Sequence, residues 1–178
     1  ITVTPTAGQS KVYGSATSIA YTAESGALVD GDSFSGALSI GEAKNVGHHT
    51  ILIGTLKAGL NDGNNYTITV SAQTYEITPK AITVTPNPGQ SKTYGETAVI
   101  DFTHTPALAY GQLFTGGLAS ASEDVGTHEI LIGSLKVDDG NNGNNYTITV
   151  SAQTYEITPK AITVTPTAGQ SKVYGSAT

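Results

Sequence analysis

One long string occurs twice in this chain without a single change, and it does more than any other feature to limit the possible folds. Residues Asn64–Pro86, NNYTITVSAQTYEITPKAITVTP, return letter for letter at Asn144–Pro166. Inside the string, Tyr66, Ile68 and Val70 alternate with Thr and Ser, which is the period-two pattern of a half-buried strand. The sequence therefore predicts repeated β-structure rather than helices.

The spacing of a shorter motif sets the predicted modules. The string ITVTP begins at Ile1, Ile82 and Ile162, so the repeat lengths are 82 − 1 = 81 and 162 − 82 = 80 residues. We predict two β modules, 1–81 and 82–161, followed by an incomplete third repeat, 162–178, which is identical to residues 1–17. So short a piece buries too little apolar surface to fold alone. It must pair with another strand, exchange with a strand of a second copy, or remain unpaired.

Composition favours small β cores in each module. The chain is 38% hydrophobic and 7% aromatic, contains 21 Gly, and has no Cys, which excludes disulfides and thiolate metal sites. We predict an all-β protein of small antiparallel, sandwich-like modules in an elongated array. A β-grasp module is the alternative, and it would need a helix where the sequence offers only the Gly-rich stretch Gly26–Gly36.

The charge pattern argues against several classes of partner. The net charge is −6, and the eight basic residues form no cluster. Nucleic acids and anionic membranes both require a basic face to neutralise phosphate. The sequence also contains no apolar run long enough to span a bilayer. We therefore expect neither a nucleic-acid partner nor membrane insertion.

Comparison of the modules with each other indicates a structural role for one Tyr-Gly dipeptide. Tyr13-Gly14 in the first module matches Tyr94-Gly95 in the second. An aromatic residue followed by Gly at a strand end predicts a core plug and then a backbone position with unusual φ.

Two other stretches also invite comparison. The apolar triplets Ile51–Ile53 and Ile130–Ile132 lack polar alternation and predict a central strand covered on both faces. The stretch from Ser15 to Val29 differs freely from Glu96 to Ala109, so we expect outer strands and loops there.

The seam between modules predicts a stiff, extended linker. The apolar residues of the strand pattern have odd numbers before Pro79 and even numbers after it, which indicates a bend or turn there. The proline also restricts the preceding Thr78 to extended geometry. The predicted structural linker residues of the first seam are Ile77, Pro79, Lys80, Ala81 and Ile82. Those of the second seam are Ile157, Pro159, Lys160, Ala161 and Ile162.

Oxygen-rich loops provide the only candidate metal site. The acidic residues in these loops are Asp30, Asp32, Asp62, Asp138 and Asp139. Calcium binds six to eight oxygen ligands, but Asp, Asn and Gly also form turns without any metal. None of the loops has the spacing of a known calcium loop, so we expect no cofactor, with calcium as the alternative.

The residue pattern offers no catalytic machinery. His48, His49 and His128 follow Gly residues, and the carboxylates that a triad would need change between the modules. No nucleophile elbow or Ser-x-x-Lys motif is present. We expect a protein that is not an enzyme and has no catalytic residues.

Five short motifs, in order, give the chain a family resemblance. They are QSKVYG at Gln9–Gly14, GDSFSGAL at Gly31–Leu38, NVG at Asn45–Gly47, GNNYTIT at Gly63–Thr69 and YEITPKA at Tyr75–Ala81. This order resembles the MBG domain of the YGX type. The second module departs from it at Tyr110–Leu113, where the first has Asp30–Ser33. The resemblance implies a tandem repeat of large bacterial surface or secreted proteins, and it supplies no catalytic residues.

These observations lead to three functional expectations. The first is a structural repeat of a bacterial extracellular or cell-surface protein, which acts as a stiff stalk, spacer or fibre segment of an adhesin. The second is a self-associating filament or sheath built by strand pairing or exchange. The third is a module that binds carbohydrate or a host protein directly. The expected partners are neighbouring repeats of the same chain and other copies of it.

Overall fold

The computed structural model describes residues 1–177, so that residue 178, the end of the predicted incomplete repeat, lies outside it. The described chain is all-β, as predicted, and consists of several small sheets. The strands that precede Pro79 are β1 Thr2–Pro5, β2 Ser10–Val12, β3 Tyr21–Ala23, β4 Phe34–Ser35, β5 Gly47–Thr50, β6 Lys57–Ala58, β7 Thr69–Val70 and β8 Thr74–Thr78. The strands that follow it are β9 Lys80–Pro86, β10 Ser91–Thr93, β11 Phe102–Thr105, β12 Phe114–Thr115, β13 Ala119–Ser120, β14 Gly126–Leu131, β15 Lys136–Val137, β16 Tyr146–Val150 and β17 Thr154–Thr158.

Two 3-10 turns, Asn61–Gly63 and Ala109–Gly111, are the only helical elements among residues 1–177. The stretch Gly26–Gly36 contains no helix, so the β-grasp alternative lacks the element it requires. No helix in the described part of the chain is long and apolar enough to cross a membrane.

The same sheet topology occurs before and after Pro79. In the first set, β1 lies between β3 and β7, and β8 lies between β2 and β5. In the second set, β9 lies between β11 and β16, and β17 lies between β10 and β14. The pairs β1–β7 and β2–β8 are parallel, as are β9–β16 and β10–β17. The sheets are therefore mixed, with both parallel and antiparallel pairs. Parallel neighbours need long crossover connections, and the intervening strands provide them.

Strand alternation places the core as the sequence predicted. In β8 the inward side chains are Tyr75 and Ile77, and in β9 they are Ile82 and Val84. All four are at most 2% exposed. Full burial of each aliphatic side chain contributes about 1.5–3 kcal/mol, so these short strands are held mainly by the apolar face they share.

The prediction for the apolar triplets was wrong. Ile51 and Ile130 are buried, but Leu52 is 48% exposed and Leu131 is 44% exposed. The reason is that each small sheet is covered on one face only. Leu52 lies beyond the end of β5 and makes a single bridge to Ser39. By contrast, β3 and β11 pair on one side only, so the variable stretches do supply outer strands, as expected.

The repeated string forms a longer strand in its second copy. The predicted strand at Tyr66–Val70 is reduced to β7, whereas Tyr146–Val150 is all strand. The sequences are identical, so the difference comes from the strand opposite. Lys80 lies opposite Tyr146 in β9, whereas the strand opposite β7 begins only at Thr2.

Candidate functional site: the junction between the modules

A buried polar cluster lies where the two modules meet. We call residues Tyr13, Gly14, Asn45 and Val46 the trailing face of module 1. We call residues Ala109, Gln112, Asn145 and Tyr146 the leading face of module 2. The trailing face comes from the turn after β2 and the loop before β5, and the leading face from the Ala109–Gly111 turn and the start of β16.

Tyr13 is the centre of the aromatic part of the junction. It is 3% exposed, and its ring packs edge-on against Tyr110 and Tyr146, with centroids 5.5 and 5.4 Å away. Its hydroxyl accepts a hydrogen bond of 2.9 Å from Gln112 Nε2. The predicted core plug is therefore buried between two modules rather than within one.

The leading face holds Gln112 in place through Tyr146. The Tyr146 hydroxyl donates to Gln112 Oε1 at 2.6 Å and accepts from the Ala109 backbone N–H at 2.8 Å. Burial raises the pKa of Tyr146, the hydrogen bond from the Ala109 N–H partly offsets this, and Tyr13, Asp139 and Tyr110 add smaller increases. The side chain therefore stays neutral, and Gln112 keeps its amide group directed at Tyr13.

Asn145 forms the second tie across the junction. It is 0% exposed. Its Oδ1 accepts from the Val46 backbone N–H at 2.9 Å, and its Nδ2 donates to Asn45 Oδ1 at 3.1 Å. Asn141 Nδ2 also donates to the Asn145 Oδ1 at 3.1 Å, so the Asn145 Nδ2 is the group that would lose its partner without the neighbouring module, at a cost of about 1–3 kcal/mol.

Asp139 organises the loop that presents Asn145. Its carboxylate accepts from the backbone N–H groups of Asn141 at 2.7 Å, Gly143 at 2.8 Å and Asn145 at 3.0 Å. Burial raises the pKa of Asp139, but the backbone donors together outweigh it, so this pKa lies below its usual value of 3.8. The loop is therefore fixed by a charged residue that the first module lacks.

Gly14 permits the closest approach between the modules. Its φ is +83°, and a Cβ built on it would lie 2.6 Å from the Ala109 Cβ. The equivalent Gly95 has the same left-handed backbone, with φ +88°, but open space around that position. The unusual φ predicted for both glycines is confirmed, and only Gly14 also faces another module.

The predicted linker residues of the first seam lie at this junction. Ile77 is 0% exposed in β8 and Ile82 is 1% exposed in β9. Pro79 is exposed and is the single residue between the two strands. Lys80 donates its backbone N–H to the Asn145 carbonyl at 3.0 Å and its Nζ to the Ala107 carbonyl at 2.7 Å. Ala81 is exposed and pairs with Thr147 in the sheet.

The second predicted seam has a different environment. Ile157 is buried at 1% exposure in β17, whereas Ile162 is 82% exposed. Pro159, Lys160 and Ala161 are exposed and lie outside the strands.

The structure does not bring the candidate calcium ligands together. Asp32 accepts from the Tyr66 hydroxyl at 2.6 Å, Asp62 pairs with Lys57, and Asp139 is occupied by backbone donors. Asp30 and Asp138 are exposed. Within residues 1–177, no three His, Cys, Asp or Glu side chains form a group that would hold a metal ion.

Sequence reasoning missed most of this junction. Asn45, Ala109 and Asn145 carried no signal beyond turn formation. Gln112 was visible only as a departure from Asp32, which is its equivalent in the first module. The role of that difference follows from the structure, because Tyr66 bonds Asp32 as Tyr146 bonds Gln112.

The described residues form two sets of small β-sheets with the same strand order, one on each side of Pro79. Residues 1–76 match the MBG domain (YGX type) family, which confirms the resemblance of the sequence motifs over that part of the chain. Comparison with curated proteins and with solved structures gave no match.

Proposed function

We propose that this chain is a stiff, non-enzymatic spacer or stalk segment of a bacterial extracellular or cell-surface protein, such as an adhesin. The observation that carries the proposal is the buried junction, where Tyr13 is 3% exposed and Asn145 is 0% exposed. Flexibly linked domains do not need such contacts. The match of the first module to the MBG family supports a repeat of a surface protein.

The proposed mechanism is resistance to bending at each seam. The connection between the last strand of module 1 and the first strand of module 2 is a single proline. Bending about it would separate the Tyr13 cluster or the Asn145 tie from its partners. Each loss exposes apolar or unpaired polar groups, at about 25 cal/mol per Å² for the apolar area and about 1–3 kcal/mol for each orphaned amide.

The experiment measures the distance between the modules directly. The chain has no Cys, so cysteines introduced by Thr22→Cys and Thr103→Cys can be spin-labelled as a pair. These residues are exposed and occupy equivalent places in β3 and β11. Electron–electron double resonance at low protein concentration should give one narrow distance distribution.

Three backgrounds make this test decisive. Tyr13→Ala should broaden the distribution, as should Gly and Ser in place of Pro79 and Lys80. Tyr94→Ala is the matched control, because this tyrosine occupies the equivalent position but is 49% exposed. A broad distribution in the background without further substitutions would refute the spacer proposal, and distributions that remain equally narrow in all variants would refute the mechanism at the junction.

Strand exchange between copies is a second candidate function, and one observation favours it. Ile162 and Val164 are 82% and 80% exposed, whereas Ile82 and Val84 of the identical sequence in β9 are 1% and 0% exposed. The segment could therefore replace β1 or β9 of another copy at little difference in packing. Val164→Lys should abolish a dimer formed in this way, as seen by sedimentation velocity, and a Lys-tolerant dimer would contradict it.

A further inference from the structure

The two modules carry equivalent faces at their outer ends. The trailing face of module 2 consists of Tyr94, Gly95, Asp124 and Val125, which match Tyr13, Gly14, Asn45 and Val46 in sequence order. The leading face of module 1 consists of Val29, Asp32, Asn65 and Tyr66, which match Ala109, Gln112, Asn145 and Tyr146.

We propose that the trailing face of module 2 binds the leading face of module 1 on a second copy of this chain, with the geometry of the internal junction. This goes beyond the spacer function and does not depend on it, since the two faces would pair even in a tandem that bends at Pro79.

The outer faces are already shaped for this contact. Tyr94 donates its backbone N–H to the Thr158 carbonyl at 2.8 Å, as Tyr13 does to Thr78. On the leading side, the Tyr66 hydroxyl donates to Asp32 at 2.6 Å and accepts from the Val29 backbone N–H at 2.9 Å. This matches the arrangement around Tyr146. The hydrogen bonds within each outer face therefore match those within the faces of the internal junction.

Residues of the outer faces are more exposed to solvent than their equivalents at the internal junction. Tyr94 is 49% exposed and Val125 is 50% exposed, whereas Tyr13 at the internal junction is 3% exposed. On the leading side, Val29 is 69% exposed where its equivalent Ala109 is 8% exposed. The equivalents of these exposed residues are the ones that become covered at the internal junction.

The polar groups of the two outer faces are complementary. The internal junction uses an amide donor on the tyrosine hydroxyl, from Gln112 to Tyr13. At the outer faces Asp32 replaces Gln112, so the hydroxyl of Tyr94 would act as the donor and the carboxylate as the acceptor, which is a charge-assisted bond.

The second tie, made by Asn145 at the internal junction, also has an equivalent at the outer faces. Asn145 donates to Asn45 and accepts from the backbone N–H that follows it. In the proposed contact, Asn65 would donate to the Asp124 carboxylate and accept from the Val125 backbone N–H. An acceptor therefore faces a donor at each position.

The seam residues fit the same arrangement. Lys160 is the equivalent of Lys80, whose Nζ donates to the Ala107 carbonyl. In the docked pair Lys160 would reach the Ala27 carbonyl of the second copy. In the second copy, residues Ile1–Pro5 occupy the position that the identical residues 162–166 of the first copy would take. Residues 162–166 of the first copy would therefore lie outside the contact.

Sedimentation velocity of the full chain over a concentration series tests the proposal. The internal junction benefits from an effective concentration on the order of millimolar through its single-residue link, so the contact between copies should be weak and needs concentrations approaching that range. The average mass should rise with concentration. Tyr94→Ala and Asp124→Lys should each lower the association constant at least tenfold.

A charge exchange separates this contact from other modes of association. Asn65→Asp should restore association to the Asp124→Lys chain, because the lysine then faces a carboxylate. Both positions are exposed, and urea unfolding should show unchanged stability. A monomer at all concentrations would overturn the proposal. Association that survives Tyr94→Ala but disappears in Val164→Lys would also overturn it, in favour of strand exchange.

Discussion

Replacing Tyr13 with alanine should uncouple the two modules, and Tyr94 provides an internal control for the size of the effect. The two tyrosines follow the same residues, Gln-Ser-Lys and one variable position, and make the same backbone hydrogen bond. They differ in what lies opposite. Any difference between Tyr13→Ala and Tyr94→Ala therefore measures the junction.

The magnitude follows from burial and contacts. Exposure differs by 49% − 3% = 46% of the side chain, which is roughly 90 Å² of a tyrosine and about 2 kcal/mol. Each edge-on aromatic pair adds about 0.5–1.5 kcal/mol and the hydrogen bond from Gln112 about 1 kcal/mol. Such contributions are not additive, so we expect Tyr13→Ala to cost about 3 kcal/mol more than Tyr94→Ala.

Urea unfolding followed by circular dichroism provides the assay. With a slope on the order of 2 kcal/mol per M, the extra loss lowers the midpoint by roughly 1–2 M and separates the unfolding of the modules. Tyr94→Ala should leave a single transition. Equal losses for the two substitutions would show that Tyr13 stabilises only its own module, and the reasoning about the junction would then fail.

The remaining predictions concern the same junction. Gly14→Ala should broaden the distance distribution between the modules and Gly95→Ala should not, although both glycines have positive φ, because only the first would clash with the facing module. Asn145→Ala should lower the free energy of unfolding in urea by about 1–3 kcal/mol more than Asn65→Ala, because only Asn145 is buried. The lowered pKa of Asp139 contributes stability above the usual value of 3.8, and this is lost as pH falls through the folded-state pKa. Urea unfolding should therefore show a smaller loss between pH 7 and pH 2 in Asp139→Asn than in the unchanged chain, and equal losses would contradict this.

The fold was predictable from the sequence wherever one face of a strand is buried in its own module. Tyr75, Ile77, Ile82 and Val84 alternate with polar residues, and all four lie in the core. Alternation is a local property, and hydrophobic burial acts on it directly. The failure at Leu52 and Leu131 has the same origin, since a run without alternation does not reveal which face the fold leaves open.

The junction could not be predicted in this way. Tyr13 and Tyr94 have nearly the same neighbours in sequence, yet one is buried and the other is half exposed. The difference depends on the residues that lie across the seam, about 100 positions away for Gln112 and Tyr13. The only sequence signal was the change from Asp32 to Gln112, and its meaning required the position of Tyr146.

The exchange of Asp for amide residues gives the two kinds of contact different electrostatics. The four side chains that form the two hydrogen-bonded ties of the internal junction, Tyr13, Gln112, Asn45 and Asn145, are all neutral. The proposed contact between outer faces uses Asp32 and Asp124 with the same geometry, and therefore brings two carboxylates into one interface. Within a chain of net charge −6, this contact works against general repulsion, which salt screens over about 10 Å. Added salt should therefore strengthen association between copies and leave the neutral internal junction unchanged. The same backbone framework thus provides a permanent tie inside the chain and a weaker, salt-sensitive one between chains.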